Sequence, residues 1–155
     1  MEPEPVTKAD FDAIIDDLPA FWGERNSAEL HHPMFVHEFG DGALLIRDTQ
    51  GAIAAYLFGF FLPERKLAYV HIVAVREDQR GQGFARSLYA RFCDLARQCG
   101  CEQIKSIARP DNTASIALHR AMGMYAVEAP DYSGPGRARV VFSDQLRNQG
   151  SISQV

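Results

Sequence analysis

The segment Val73-Ala74-Val75-Arg76-Glu77-Asp78-Gln79-Arg80-Gly81-Gln82-Gly83-Phe84-Ala85-Arg86 decides how the chain is read. An apolar strand runs into a glycine-bearing turn, and an amphipathic helix begins at once. Amides in the first turn of a helix lack carbonyl partners, and the helix dipole adds positive potential there, so such a turn attracts anions. Gly81 and Gly83 remove Cβ atoms where a phosphate would have to approach the backbone, and Ala85 is small enough for close helix packing. Two phosphate loops fail against this segment. A Walker A loop needs Gly-Lys-Ser/Thr, and neither that lysine nor that hydroxyl is present. A dinucleotide fingerprint needs a third glycine where Arg86 stands, and its strand would open the fold instead of coming fourth. The pattern that fits is Arg/Gln-x-x-Gly-x-Gly/Ala after a buried strand, met by Arg80, Gly83 and Ala85.

Working outward, Ala68–Val75 is apolar on both faces apart from His71, as a strand inside a sheet reads. Phe84, Ala85, Leu88, Tyr89, Phe92, Leu95, Ala96 and Cys99 recur at helical spacing, with Gly100 placed to end that helix. Gln103–Ala108 reads as a short strand, and Asn112 can cap a second helix over Ala114–Met122 that Gly123 terminates. Met124–Val127 and Ala138–Ser143 are further strand candidates. Upstream, turns at Asp41-Gly42 and Gln50-Gly51 open strands near Ala43–Arg47 and Ala52–Phe60. Thr7 is the N-cap of a first helix carrying Phe11, Ile14, Ile15 and Leu18, which Pro19 is expected to stop; one or two short helices are expected between residues 22 and 39. Helix, hairpin, strand–helix–strand–helix and final hairpin together imply an α+β domain of three layers, α/β/α. Residues 1–146 read as one domain and 147–155 as a polar tail without apolar periodicity.

The 155 residues, 46% hydrophobic and 23% charged, have the balance of one globular domain and exclude collagen-like, coiled-coil and largely disordered classes. With 16 basic and 20 acidic residues the formal net charge is −4, which offers no broad cationic field for nucleic acid or an anionic membrane. No apolar run approaches the ~18 residues of a membrane span. The acidic, prolyl start Met-Glu-Pro-Glu-Pro is unlike a targeting peptide. Cys93, Cys99 and Cys101 cannot all pair, and Cys99-Gly-Cys101 lacks a second Cys/His pair for zinc, so free thiols and a cytoplasmic location are expected.

A second motif follows the first by about thirty residues: Asn112-x-x-Ser115-x-x-Leu118-His119-x-x-x-Gly123-Met124. In type, order and spacing the two resemble the GNAT superfamily of acyl-CoA-dependent N-acetyltransferases, over about Ala43 to Val127. The resemblance implies a mostly antiparallel mixed sheet with a strand–loop–helix acyl-CoA cradle. It further implies that Val73, Ala74 and Val75 offer backbone groups to the pantetheine arm of acetyl-CoA. The amides of Gly81, Gln82, Gly83, Phe84, Ala85 and Arg86, with Arg80 at the motif's first position, would bind the pyrophosphate. Asn112 would contact the cofactor, act as a cap, or do both. Many members dimerise, so a homodimer is compatible with this reading.

In the implied reaction an amine attacks the thioester directly, so the enzyme must position both partners, remove a proton and support a departing thiolate. His71 stands where several members carry a base, and histidine titrates near neutrality; the bland alternative is a histidine satisfied within the sheet. His119 occupies the position of the usual tyrosine acid. An imidazolium there, Tyr125 or Tyr132, or solvent would have to protonate the thiolate. Acceptor candidates in the first helices, the loop before the crossover strand and the final hairpin are Trp22, Glu24, His31, His32, Phe35, His37, Glu38, Tyr69, Arg109, Tyr132 and Arg137. Adjacent His31-His32 rarely aim at one ion and no acidic partner has metal spacing, so no metal is expected. The implied function is transfer of an acetyl group from acetyl-CoA to a primary amine of a small molecule or peptide. The alternative is a non-catalytic acyl-CoA sensor.

Overall fold

The computed structural model describes residues 1–146; the polar tail read over 147–155 lies outside them. Seven strands form one sheet: β1 Glu4–Pro5, β2 Ala43–Arg47, β3 Ile53–Leu62, β4 Leu67–Val75, β5 Gln103–Ala108, β6 Tyr125–Ala129 and β7 Arg139–Gln145. Their order is β1-β2-β3-β4-β5-β7-β6. Every neighbouring pair is antiparallel except β4 and β5, which the helix α4, Phe84–Gln98, joins by a crossover. The final hairpin enters through its second strand, so β7 and not β6 lies against β5.

Helices α1 (Lys8–Asp16), α2 (Leu18–Trp22) and α3 (Met34–His37) cover one face, where Phe11, Ile14, Phe21 and Phe35 pack on Tyr56, Phe58, Ile72 and Ala74. On the other face α4 buries Leu88, Tyr89 and Phe92 against Leu57, Val70, Ile104 and Phe142, joined there by α5, Thr113–Ala121. Each such large apolar side chain contributes about 1.5–3 kcal/mol by leaving water. The layers are therefore α/β/α, as the pattern of elements requires.

Local chemistry accounts for most element ends. Thr7 and Asp10 form a reciprocal capping box on α1, the Asp10 amide donating to Thr7 Oγ1 at 3.2 Å and the Thr7 amide to Asp10 Oδ2 at 2.9 Å. Pro19 departs from expectation. It opens α2 near its first position, where a missing N–H costs nothing, and the chain has already turned at Asp17. Gly100 and Gly123 follow α4 and α5 with φ of +83° each, the left-handed geometry of helix ends.

One irregularity shapes the centre of the sheet. β3 and β4 pair Phe58 with Ile72 but Gly59 with Val70, so His71 is an extra residue in β4, a β-bulge. Before the bulge Ala68 and Val70 face α4; after it Ile72 and Ala74 face the first helices, and Val73 and Val75 turn toward α4. Gly59 is required opposite it: a Cβ there would lie 2.6 Å from the Tyr69 carbonyl oxygen and 2.7 Å from the Phe92 ring.

Candidate active site

At the bulge the two parallel strands part. β5 pairs with β4 only from Leu67↔Gln103 to Val70↔Ser106, and the remaining residues of β4, His71 to Val75, have β3 on one side and, among the described residues, no strand on the other. The segment expected to receive an extended ligand, Val73–Val75, is thus an open strand edge inside the sheet. Such an edge presents backbone donors and acceptors to anything extended laid beside it.

The edge leads into the glycine turn. Arg76 forms an ion pair with Asp17 at 2.7 Å and lies over the Phe21 ring, and Arg80 Nη2 donates to the Phe21 carbonyl at 3.1 Å. Both arginines thereby tie the loop to α2, while Arg80 stays more than half exposed. Gly81 and Gly83 have φ of +81° and +82°, and a Cβ at either would meet nothing within 4 Å. The strained geometry demands glycine and the surrounding space is open. Among the described residues the backbone amides of Gly81 through Arg86 have no acceptor, and no side chain caps α4. Phe84 is turned into the core, leaving its amide at the mouth, and Gln82 bonds Gln79 at 2.9 Å. Arg86 Nη2 donates to the Ala121 carbonyl at 3.2 Å, spanning from the start of α4 to the end of α5. Asn112 caps α5, its Oδ1 accepting from the Ser115 amide at 3.1 Å. A row of unpaired amides, open space where Cβ atoms are missing and a nearby exposed guanidinium suit a pyrophosphate.

His71 points toward the first helices, its ring stacked on Phe35 at 4.5 Å. Nε2 lies 2.8 Å from the Leu30 carbonyl, which can only accept, so that nitrogen carries the hydrogen. Nδ1 then holds the lone pair and has no partner among the described residues. The one buried, unpartnered side-chain polar atom there is Ser27 Oγ, so Nδ1 is not sealed away. Burial lowers the imidazole pKa below its ordinary value, partly offset by the Leu30 carbonyl. The ring is neutral at pH 7.

His119 is placed otherwise. It is 1% exposed and stacked on Phe142 at 4.0 Å. Nδ1–H donates to the Ser115 carbonyl at 2.7 Å, and Nε2 accepts from the Tyr89 hydroxyl at 2.6 Å. Ser106, the last β5 residue paired with β4, bonds the Tyr89 hydroxyl in turn. Burial pushes the His119 pKa down and the Tyr89 pKa up, so both stay neutral. Tyr125 is 73% exposed on the edge strand β6; through Ser143 and Lys105 it is level with Tyr69, three strands and roughly 14 Å from β4.

The acceptor candidates separate. His31 is buried, its Nδ1 donating to the Ser27 carbonyl and its Nε2 accepting from the Tyr56 hydroxyl, each at 2.7 Å, while Trp22 Nε1 donates to Tyr56 at 2.8 Å. Exposed His32 accepts from the Met34 amide. Among the described residues no three His, Cys, Asp or Glu side chains gather to hold a metal ion. Phe35 touches His71, and the Tyr69 hydroxyl lies near that of Tyr132; burial and this neighbour push its pKa up. Arg109 pairs with Asp111 in solvent, and the Arg137 guanidinium lies over Gly134 in the β6–β7 loop. The cysteines are free, and burial pushes the Cys93 thiol up to about 11.

The Acetyltransferase (GNAT) family profile matches residues 11–124. The chain belongs to this family. One relative, the L-methionine sulfoximine/L-methionine sulfone acetyltransferase of Salmonella typhimurium, is 31% identical over 83 residues, 52% of this chain and 48% of that protein. The chain spans about half the length of the curated relatives it matches. Among solved structures, the ribosomal-protein-S18-alanine N-acetyltransferase of Escherichia coli superposes with a TM-score of 0.72 at 18% identity, over 99% of this chain and 98% of that one. Salmonella typhimurium yncA, solved with acetyl-CoA, superposes with a TM-score of 0.66 at 22% identity, over 99% and 98%. These likenesses establish the GNAT fold.

Within that fold, the residues that local reading misses are Tyr89, whose hydroxyl donates to His119 Nε2, and Ser106 beside that hydroxyl. Tyr89 sits on the apolar stripe of α4, where periodicity alone makes it a packing residue. Only the contact across 30 residues of chain reveals its hydroxyl's partner. No helix of the described residues is long and apolar enough to cross a membrane.

Proposed function

We propose that the chain is an N-acetyltransferase moving an acetyl group from acetyl-CoA to a primary amine. The observation that carries this reading is a histidine with an unpartnered, unsealed Nδ1 standing on the bulge beside an open strand edge that leads to unpaired helix-start amides. Acetyl-CoA would supply the thioester carbonyl that the amine attacks and the thiolate that departs. Backbone groups of Val73–Val75 would align its extended arm. The amides of Gly81 to Arg86, with Arg80 and Arg86, would hold its pyrophosphate, and Asn112 would contact it while capping α5.

His71 is the base in this account. Neutral at pH 7, it takes a proton from the attacking amine at Nδ1 while Leu30 holds Nε2–H and Phe35 fixes the ring plane. His119 receives no acid role, because both its nitrogens are committed, and Tyr125 none, because it stands at the sheet edge. Solvent protonates the thiolate. Relatives named for acetylating amino-acid substrates support a small primary amine.

The testing experiment follows free CoA release from acetyl-CoA across a panel of amino acids, amino-acid amides, polyamines and peptides. Turnover with at least one amine, lost in His71→Ala, is expected. The committed state of His119 favours one second reading, an acyl-CoA sensor; acetyl-CoA binding without turnover on any amine would establish it.

A further inference from the structure

We infer that the acceptor of this transferase carries an apolar group, aromatic or thioether-like, within a few bonds of its reactive amine. The inference rests on the transferase reading above and names the substrate class at that same site. It is carried by the aromatic side chains linked ring to ring from the face of the His71 imidazole. The carbonyl that holds this histidine belongs to Leu30, whose side chain is 46% exposed. The ring stacked on it, Phe35, leads to Phe39 at 6.4 Å, which is 39% exposed. Phe39 meets Phe60 at 5.4 Å, and Phe60 stacks on Tyr69 at 5.4 Å. Tyr69 lies two residues before His71, and its hydroxyl reaches across to Tyr132 of the β6–β7 loop, 51% exposed.

These contacts form a continuous border of rings that starts on the proposed base and ends at Tyr69, two residues before it on the same strand. Scattered surface leucines and phenylalanines need no explanation, but exposed apolar groups joined ring to ring beside a reactive nitrogen have the composition of a ligand site. The border supplies flat aromatic faces and one pair of hydroxyls at its far end. The rings themselves carry no charge to hold the further ammonium groups of a polyamine, and a bare small amine would leave the border wet. A side chain beside the amine would cover Phe39 and Tyr132 while the nitrogen lies at His71. That side chain can belong to a free amino acid derivative or to the first residue of a peptide, since both present the same chemistry.

The test compares kcat/KM, by CoA release from the full chain, for phenylalanine amide, methionine amide, glycinamide and spermidine, and for tetrapeptides beginning with Phe or Gly. The apolar amines are expected to exceed glycinamide and spermidine by on the order of tenfold or more, the scale that a few methylenes yield in an apolar pocket. In Phe39→Asp and, separately, Tyr132→Ser, both at exposed positions, this preference should fall to within about threefold through KM, with acetyl-CoA affinity unchanged. The Phe-peptide set against phenylalanine amide tells the two sources apart. Equal or better use of glycinamide or spermidine, or a preference untouched in both variants, overturns the inference while the transferase reading stands. Absence of CoA release with every amine, from protein that binds acetyl-CoA, overturns both.

Discussion

His71 and His119 both lie near the point where β4 and β5 part, both stack on a phenylalanine, and in both burial lowers the pKa. Their nitrogens separate them. His119 has its Nδ1–H on a carbonyl four residues earlier and its Nε2 on a tyrosine hydroxyl, and His31 on the opposite face repeats this wiring with Ser27 and Tyr56. His71 uses one nitrogen and leaves the other open. A buried histidine bonded at both nitrogens acts here as a strut, because taking a proton at its lone pair would require its buried hydroxyl partner to reverse from donor to acceptor. One bonded only through its N–H is oriented and still basic. Residue type and pKa direction do not distinguish the two roles; the partner count does.

The largest expected effect breaks this contrast at His71. His71→Gln should lower kcat by about 10²–10⁴-fold, the usual contribution of a general base, with acetyl-CoA affinity retained. The depressed pKa places the acidic limb of kcat/KM below about 6.5, where the imidazole protonates, and the variant should lose that limb. A persisting limb assigns the base elsewhere.

Next in size is Gly83→Val, which leaves both histidines untouched. A β-branched residue is strongly disfavoured at φ +82°, so the helix-start amides should lose their arrangement and CoA binding should weaken by roughly 10–100-fold. Gly83→Asn, which tolerates the left-handed region, should lose less. Isothermal titration with CoA ranks the two, and equal affinities would remove the loop geometry from the cofactor site.

The smallest effect on catalysis belongs to the struts. His119→Ala leaves the buried Tyr89 hydroxyl unpaired and opens space against Phe142, for a loss of about 2–4 kcal/mol seen as a lower Tm, with the acidic limb of kcat/KM unchanged. The three histidines whose pKa burial lowers also contribute to the pH dependence of stability. Their folded pKa values lie below the unfolded value of about 6.5, so the unfolded chain binds more protons in that window. Their stabilisation is full above about 6.5 and declines as pH falls through the folded values. Removing His119 should flatten that decline in a Tm-versus-pH series, and an unchanged slope would contradict its buried neutral state.

Much of this arrangement is legible along the chain. The Arg80–Ala85 turn, the Asn112 cap and the Thr7 cap are local: each depends on backbone geometry within a few residues, and each appears where spacing places it. The bulge at His71 is not local. It exists because Gly59, twelve residues earlier, lets Tyr69 and Phe92 approach, so β4 gains a residue relative to β3. Pro19 misleads for a related reason, since the same missing N–H that ends a helix is harmless at the start of one. The Tyr89–His119 and Tyr56–His31 contacts join residues 30 and 25 apart and need the packed layers to form.

The tie between the glycine turn and α2 has a practical side. Arg80 holds the carbonyl of Phe21, and the next residue, Trp22, is the single tryptophan of the chain, its indole N–H bonded to Tyr56. A polyanion drawing Arg80 toward itself pulls on the peptide that precedes this indole. If the turn holds the pyrophosphate as proposed, its occupancy should shift the emission of this single indole, a readout that needs no label.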